Sequence, residues 1–110
     1  MLALLAVLVV AAPAGAVYGG RYASAGEQPW AAGIELSGES GVVCSGEVIA
    51  PTKVLTAAHC AAGTPAADLV VVTGAADVRD PRAQRSGVTD VAIDPGYGRV
   101  DSSYDDFAVL

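Results

Sequence analysis

The sequence has one histidine and two cysteines in 110 residues. That scarcity limits the available chemistry. A structural zinc centre wants four ligands and a catalytic one three protein ligands. His59 and Cys60 are neighbours and only Cys44 is left to join them, so no metal centre is expected. A redox dithiol would more often show Cys-x-x-Cys, whereas these cysteines are sixteen positions apart. Basic residues are also few. Six Lys and Arg stand against twelve Asp and Glu, a net charge of −6. This balance argues against nucleic acid and anionic membrane surfaces as partners, because both attract basic patches. Besides Trp30 there are only four Tyr and one Phe, so any core is built from Val, Ile, Leu and Ala. There is no heptad pattern, internal repeat or long block of like charge. The length allows one small domain at most.

The first sixteen residues, "MLALLAVLVVAAPAGA", carry no charged side chain. The apolar run from Met1 to Ala12 is shorter than the roughly 20 residues a membrane-spanning helix needs. Pro13 and Gly15 break it, and Ala14-Gly15-Ala16 has the small-x-small pattern of a signal-peptidase site. No Lys or Arg precedes the run, which leaves a start further upstream open, and a buried N-terminal helix is the competing reading. No cysteine follows directly, which argues against a lipoprotein anchor. The expectation is a signal peptide over residues 1–16 and a secreted chain beginning at or near Val17. Secretion permits a disulfide between Cys44 and Cys60.

The rest reads as strands and turns. Ala32, Ile34 and Leu36 alternate with Gly33, Glu35 and Ser37, a period of two. "GVVCSG" and "EVIA" follow, the second stopped by Pro51. "KVLT" (53–56) is the next strand, and "AAHCAAG" (57–63) reads as one helical turn of small residues. "ADLVVVTG" (67–74) is the longest apolar strand, and "ADVRDPRAQRSG" (76–87) reads as an exposed loop. "VTDVAIDPGYG" (88–98) alternates imperfectly into an Asp-Pro-Gly turn, "RVDSSYDD" (99–106) connects, and "FAVL" (107–110) begins a strand. Short strands about ten residues apart with Gly and Pro turns predict an all-β sandwich or barrel. A strand cut in mid-course leaves unpaired backbone groups, so the chain is expected to be a fragment. The Ala, Gly and Val bias, with a single Lys among the six basic residues, suggests a bacterial gene of high GC content.

"VLTAAHC" resembles the histidine signature of the trypsin/chymotrypsin-like serine proteases. "VYGG" (17–20) resembles the mature N-terminus of that family, usually Ile-Val-Gly-Gly, with Tyr18 a departure. "GEQPW" (26–30), "CSGEVIAPTKVLTAAHC" (44–60), "DLVVVTG" (68–74), "VAIDPGY" (91–97) and "DDFAVL" (105–110) resemble its later segments in order. Asp94 stands where His is common. The resemblance implies the N-terminal Greek-key β-barrel of a two-barrel, chymotrypsin-like fold, incomplete here. It also implies a Cys44–Cys60 disulfide around the histidine loop, and Val17 as an N-terminus whose ammonium inserts into the protein on activation.

The chemistry has its own logic. A serine hydroxyl is a poor nucleophile near neutral pH and needs a base within hydrogen-bond reach. Histidine, with an ordinary pKa of about 6.5, suits that task, and a carboxylate must hold its other nitrogen in one tautomer. The resemblance makes His59 the general base. It makes Asp106 the carboxylate, because the family's aspartate directly precedes the apolar-Ala-aliphatic-aliphatic run, and Asp105 then reads as a solvated turn residue. Ser24, Ser37, Ser40, Ser45, Ser86, Ser102 and Ser103 match no nucleophile motif. The serine, usually in Gly-Asp-Ser-Gly-Gly, is expected in the missing second barrel, and these 110 residues alone are expected to be inactive. The implied whole is a monomeric secreted serine endopeptidase acting on protein or peptide substrates, without cofactor or membrane anchor. A secreted protease homologue that lost its serine and acts as a binding module is the alternative, and an unrelated secreted β-domain is the third reading.

Overall fold

The computed structural model describes residues 19–39, 41–101 and 103–110. The expected leader over residues 1–16 and Val17 lie outside them. Strand β1 (Ala31–Leu36) forms where the period of two places it and Ile34 on its inner side is fully buried, but its burial does not alternate, since Ala32 to Glu35 are all buried. Strand β2 (Val42–Ala50) returns antiparallel, with a register shift at Ile34/Glu35. It runs unbroken where the sequence pattern predicts two pieces, because β1 pairs on one side of it and β3 on the other. Pro51 offers no N–H to a ladder, and the chain turns there into β3 (Lys53–Thr56). Strand β4 (Leu69–Thr73) then pairs with the far side of β1. The order β4-β1-β2-β3 is a Greek key.

The last strands close the sheet. β5 (Gln84–Gly87) pairs with β4, β6 (Ala92–Ile93) with β7 (Ala108–Val109), and β7 with β3. β5 and β6 stand at opposite ends of the strand order, yet only residues 88–91 separate them along the chain. Within that link the Val88 N–H still donates to the Leu69 carbonyl, at 3.3 Å. The curled sheet is thus joined at its edges by continuous chain, which makes it a barrel. Every pairing is antiparallel, and the fold is all-β. Among the described residues no helix is long and apolar enough to cross a membrane.

Residues 76–87 do not remain a loop throughout, since the last four form β5. All four are exposed, so no buried face marks them in the sequence. Their extended form comes from pairing with Val70–Thr73, the kind of context that overrides intrinsic preference. The outward face of β1 is covered as well. Val42 and Val78 side chains crowd Gly33. Glu35 is buried against Arg85, Nε to Oε2 3.2 Å, and Arg85 Nη2 also donates to the Val78 carbonyl at 2.7 Å.

The interior is narrow. Ile34, Ala58, Ala61, Leu69 and Ala108 form its centre, with Cys44, Val88, Val91, Ile93 and Leu110 packed around them. Ala32, Val54 and Val71 adjoin them. Residue 46 has room only for a hydrogen. A Cβ there would stand 2.7 Å from Val54 Cγ1 and 3.0 Å from the Leu55 carbonyl oxygen. Overpacking of this kind costs about 1–3 kcal/mol, more than the roughly 0.4–1 kcal/mol that Gly→Ala can recover through the unfolded chain. Gly46→Ala is therefore expected to lower the urea midpoint of the full-length protein. An unchanged midpoint would show that the barrel gives way at this point.

Candidate active site

The histidine is delivered by a strand that ends in a tightly held turn. At the end of β3 the Thr56 hydroxyl donates to the Ser45 carbonyl, 2.8 Å away on β2. Ala57 is extended, and Ala58–Cys60 then form one 3₁₀ turn. Small side chains let this turn sink into the barrel wall: Ala58 is fully buried and Ala61 nearly so. The Ala61 and Ala62 N–H groups both donate to the Ala58 carbonyl, at 3.0 and 2.7 Å. Cys60 is bonded to Cys44 of β2, with the Cα atoms 6.1 Å apart. Strand, buried alanines and disulfide thus hold the backbone on either side of His59, whose side chain is 60% exposed.

Asp106 arrives from the other end of the chain. β7 pairs with β3 in the register Thr56↔Ala108 and Leu55↔Val109, which brings the residue two before Ala108 beside the turn that follows Thr56. Its carboxylate takes two hydrogen bonds from one residue. Oδ1 accepts from the backbone N–H of His59 at 2.8 Å, and Oδ2 lies 2.7 Å from His59 Nδ1. The imidazole, and after it the His59 backbone N–H, holds the Asp106 carboxyl below the ordinary aspartate value. Asp106 is therefore an anion across the neutral range. An ionised carboxylate can only accept, so Nδ1 carries the proton and the neutral ring keeps its lone pair on Nε2. The group facing solvent is then a base whose tautomer has been selected from behind.

Asp105 has a different place. It lies in a left-handed backbone conformation, φ +51°, and the contact to His59 belongs to its neighbour. Ser45 points outward from β2, and among the described residues no hydrogen bond joins it to His59. Cys44, His59 and Cys60 put three potential ligand atoms within 4.8 Å of one another. Both sulfurs are spent in the disulfide, and the thiolate is the ligating form. The cleft between residues 22–31 and 73–84, of about 450 Å³, includes neither His59 nor Asp106.

The family described as Trypsin matches residues 17–110. The chain belongs to the trypsin family. It is 32% identical over 89 residues to a trypsin of Saccharopolyspora erythraea, across 81% of this chain and 39% of that protein. It is 35% identical over 83 residues to human serine protease 56, across 76% of this chain and 13% of the relative. Among solved structures, the secreted serine protease VesC from Vibrio cholerae superposes with a TM-score of 0.74 at 35% identity, covering 84% of this chain and 20% of that one. The chain thus spans well under half the length of these relatives. The barrel is the chymotrypsin-like one, and the disulfide implied by the resemblance is present.

Two features of this trypsin-family site had no signature in the sequence. One is the His59 backbone N–H as a second donor to Asp106, which depends on the 3₁₀ turn. The other is the reversed backbone at residue 105. Asp is among the few residues that tolerate that conformation, which is the one trace of it the sequence carries.

Proposed function

We propose that the whole protein is a secreted serine endopeptidase in which His59 is the general base and Asp106 its orienting carboxylate. The observation that carries this reading is the two-point hold of Asp106 on His59, 2.8 Å to the backbone N–H and 2.7 Å to Nδ1. The nucleophilic serine belongs to a second barrel outside these 110 residues. Its hydroxyl proton passes to Nε2 as its oxygen attacks the substrate carbonyl carbon. The imidazolium formed is stabilised by Asp106 and gives the proton to the departing amine, leaving an acyl-enzyme that water hydrolyses by the same exchange. Proteins or peptides are the substrates, and the enzyme works as a monomer without cofactor. These residues alone supply the base and its orienter, and are inactive without the nucleophile.

Residues 1–16 are proposed as the signal peptide and Val17 as the activating N-terminus, since the family match begins at residue 17. One cut by signal peptidase then both releases and activates the enzyme. The test is labelling of the secreted full-length protein with a serine-directed phosphonate, followed by N-terminal sequencing of the same material. One label per chain, lost in His59→Ala, is expected. No labelling would favour the binding-module alternative, and a start other than Val17 would remove the activation step from the proposal.

A further inference from the structure

Among the described residues Asp105 is the one non-glycine residue with a positive φ, +51°, and it directly precedes Asp106. The next residue is the centre of a tight turn, with the Phe107 N–H donating to the Asp105 carbonyl across Asp106 at 2.9 Å. Just beyond this reversal the backbone is fixed on both sides. The Phe107 carbonyl accepts from the Asp94 N–H at 3.1 Å, and Ala108 pairs with Ile93 and Thr56. Asp106 is therefore held between a pinned strand on one side and a reversed residue on the other.

A second turn supports the first. Asp94 Oδ1 accepts from the Gly96 N–H at 2.6 Å, and the Tyr97 N–H donates to the Asp94 carbonyl at 3.0 Å. The Asp105 carboxylate lies over Gly96, in space that a Cβ at residue 96 would occupy. Left-handed backbone is open to glycine and tolerated by Asn and Asp, but closed in practice to β-branched residues.

We infer that Asp105 is a positioning residue whose left-handed backbone, seated on Gly96, aims the Asp106 carboxylate at His59. The requirement is for the conformation and not for the charge. The inference rests on the protease reading above, and it is chosen to be separable from it.

The test uses the full-length protein with residue 105 as Asp, Asn, Gly, Ala or Val. Asp105→Asn removes the charge and keeps the conformation, and Asp105→Gly removes the side chain and keeps it; both are expected to retain kcat close to the wild-type value. Asp105→Val is expected to lower kcat by about 10- to 100-fold, the penalty of misplacing a catalytic group by an ångström or so, with KM little changed. Carboxyl NMR should show Asp106 titrating nearer the ordinary aspartate range in the valine variant, because its contact to His59 is lost. If the valine variant does not fold, Asp105→Ala takes its place with a smaller shift in the same direction. Wild-type kcat and Asp106 titration in Asp105→Val, or in Asp105→Ala where that replaces it, would overturn the inference. So would a loss in Asp105→Asn as large as that in the valine variant. A wild-type protein without turnover would refute the protease reading, yet the Asp106 titration would still decide whether residue 105 aims the carboxylate.

Discussion

Replacing His59 by alanine in the full-length protein is expected to lower kcat by about 10⁴- to 10⁶-fold, and Asp106→Asn by about 10⁴-fold. The asparagine effect follows from the two contacts of Asp106. Both carboxylate oxygens accept, one from the His59 N–H and one from Nδ1. An amide has one accepting oxygen and one donating nitrogen. With the oxygen kept on the backbone N–H, the NH₂ faces Nδ1 and forces that nitrogen to accept. The ring proton then sits on Nε2, the atom that takes the serine proton in the proposed mechanism. The variant would keep its shape and lose its base. The two residues act as a unit, so the double variant should be no slower than His59→Ala alone, because effects within such a unit do not add. Steady-state hydrolysis of peptide substrates by purified full-length variants is the measurement. An Asp106→Asn enzyme retaining a tenth or more of its kcat would rule out the role assigned to Asp106.

How much of this was legible beforehand depends on what each residue contacts. Strands β1, β3 and β4 declare themselves because one side of each meets the core: Ile34, Val54 and Leu69 are buried where the apolar pattern places them. Strand β5 does not, because all four residues of "QRSG" are exposed and none of them enters the core. Glu35 misleads in the opposite sense. A polar residue on the outer side of an alternating strand should be exposed, yet it is buried, because the segment carrying Val78 and Arg85 folds over it. That covering depends on contacts fifty residues apart along the chain, beyond any local pattern.

The site divides the same way. "TAAHC" and "DFAVL" mark His59 and its carboxylate by resemblance, but composition and spacing alone leave Asp105 and Asp106 equivalent as neighbouring acids. They are distinguished by a strand register, Thr56↔Ala108, and by a reversed backbone at residue 105. Neither is encoded locally. The register is set by which side of β7 faces the core, where Ala108 is buried beside Ala58 and Leu69. The packing of an alanine thus decides which of two adjacent carboxylates reaches the imidazole.

Removing the disulfide by Cys44→Ala with Cys60→Ala is the second large effect expected, and it falls on stability first. The bridge closes a loop between residues sixteen apart, and a loop of about 15 residues is worth roughly 3 kcal/mol in the chain-entropy account. That is about two powers of ten in the ratio of folded to unfolded protein. The loss should not be spread evenly. β3 stays paired with β2 and β7, so the hold of Asp106 on His59 has its strand register without the bridge. The turn after β3 loses its covalent tie to β2 and keeps buried Ala58 and Ala61, with the His59 N–H bond to Asp106, as anchors. Amide exchange over residues 57–64 should therefore accelerate more than exchange in β1 and β4, and kcat should fall far less than in His59→Ala. A denaturant midpoint equal to wild type would show that the buried alanines suffice. A loss of kcat as deep as that of His59→Ala, in a variant still folded, would instead mean that the sulfur bridge and not the strand register sets the direction of the imidazole.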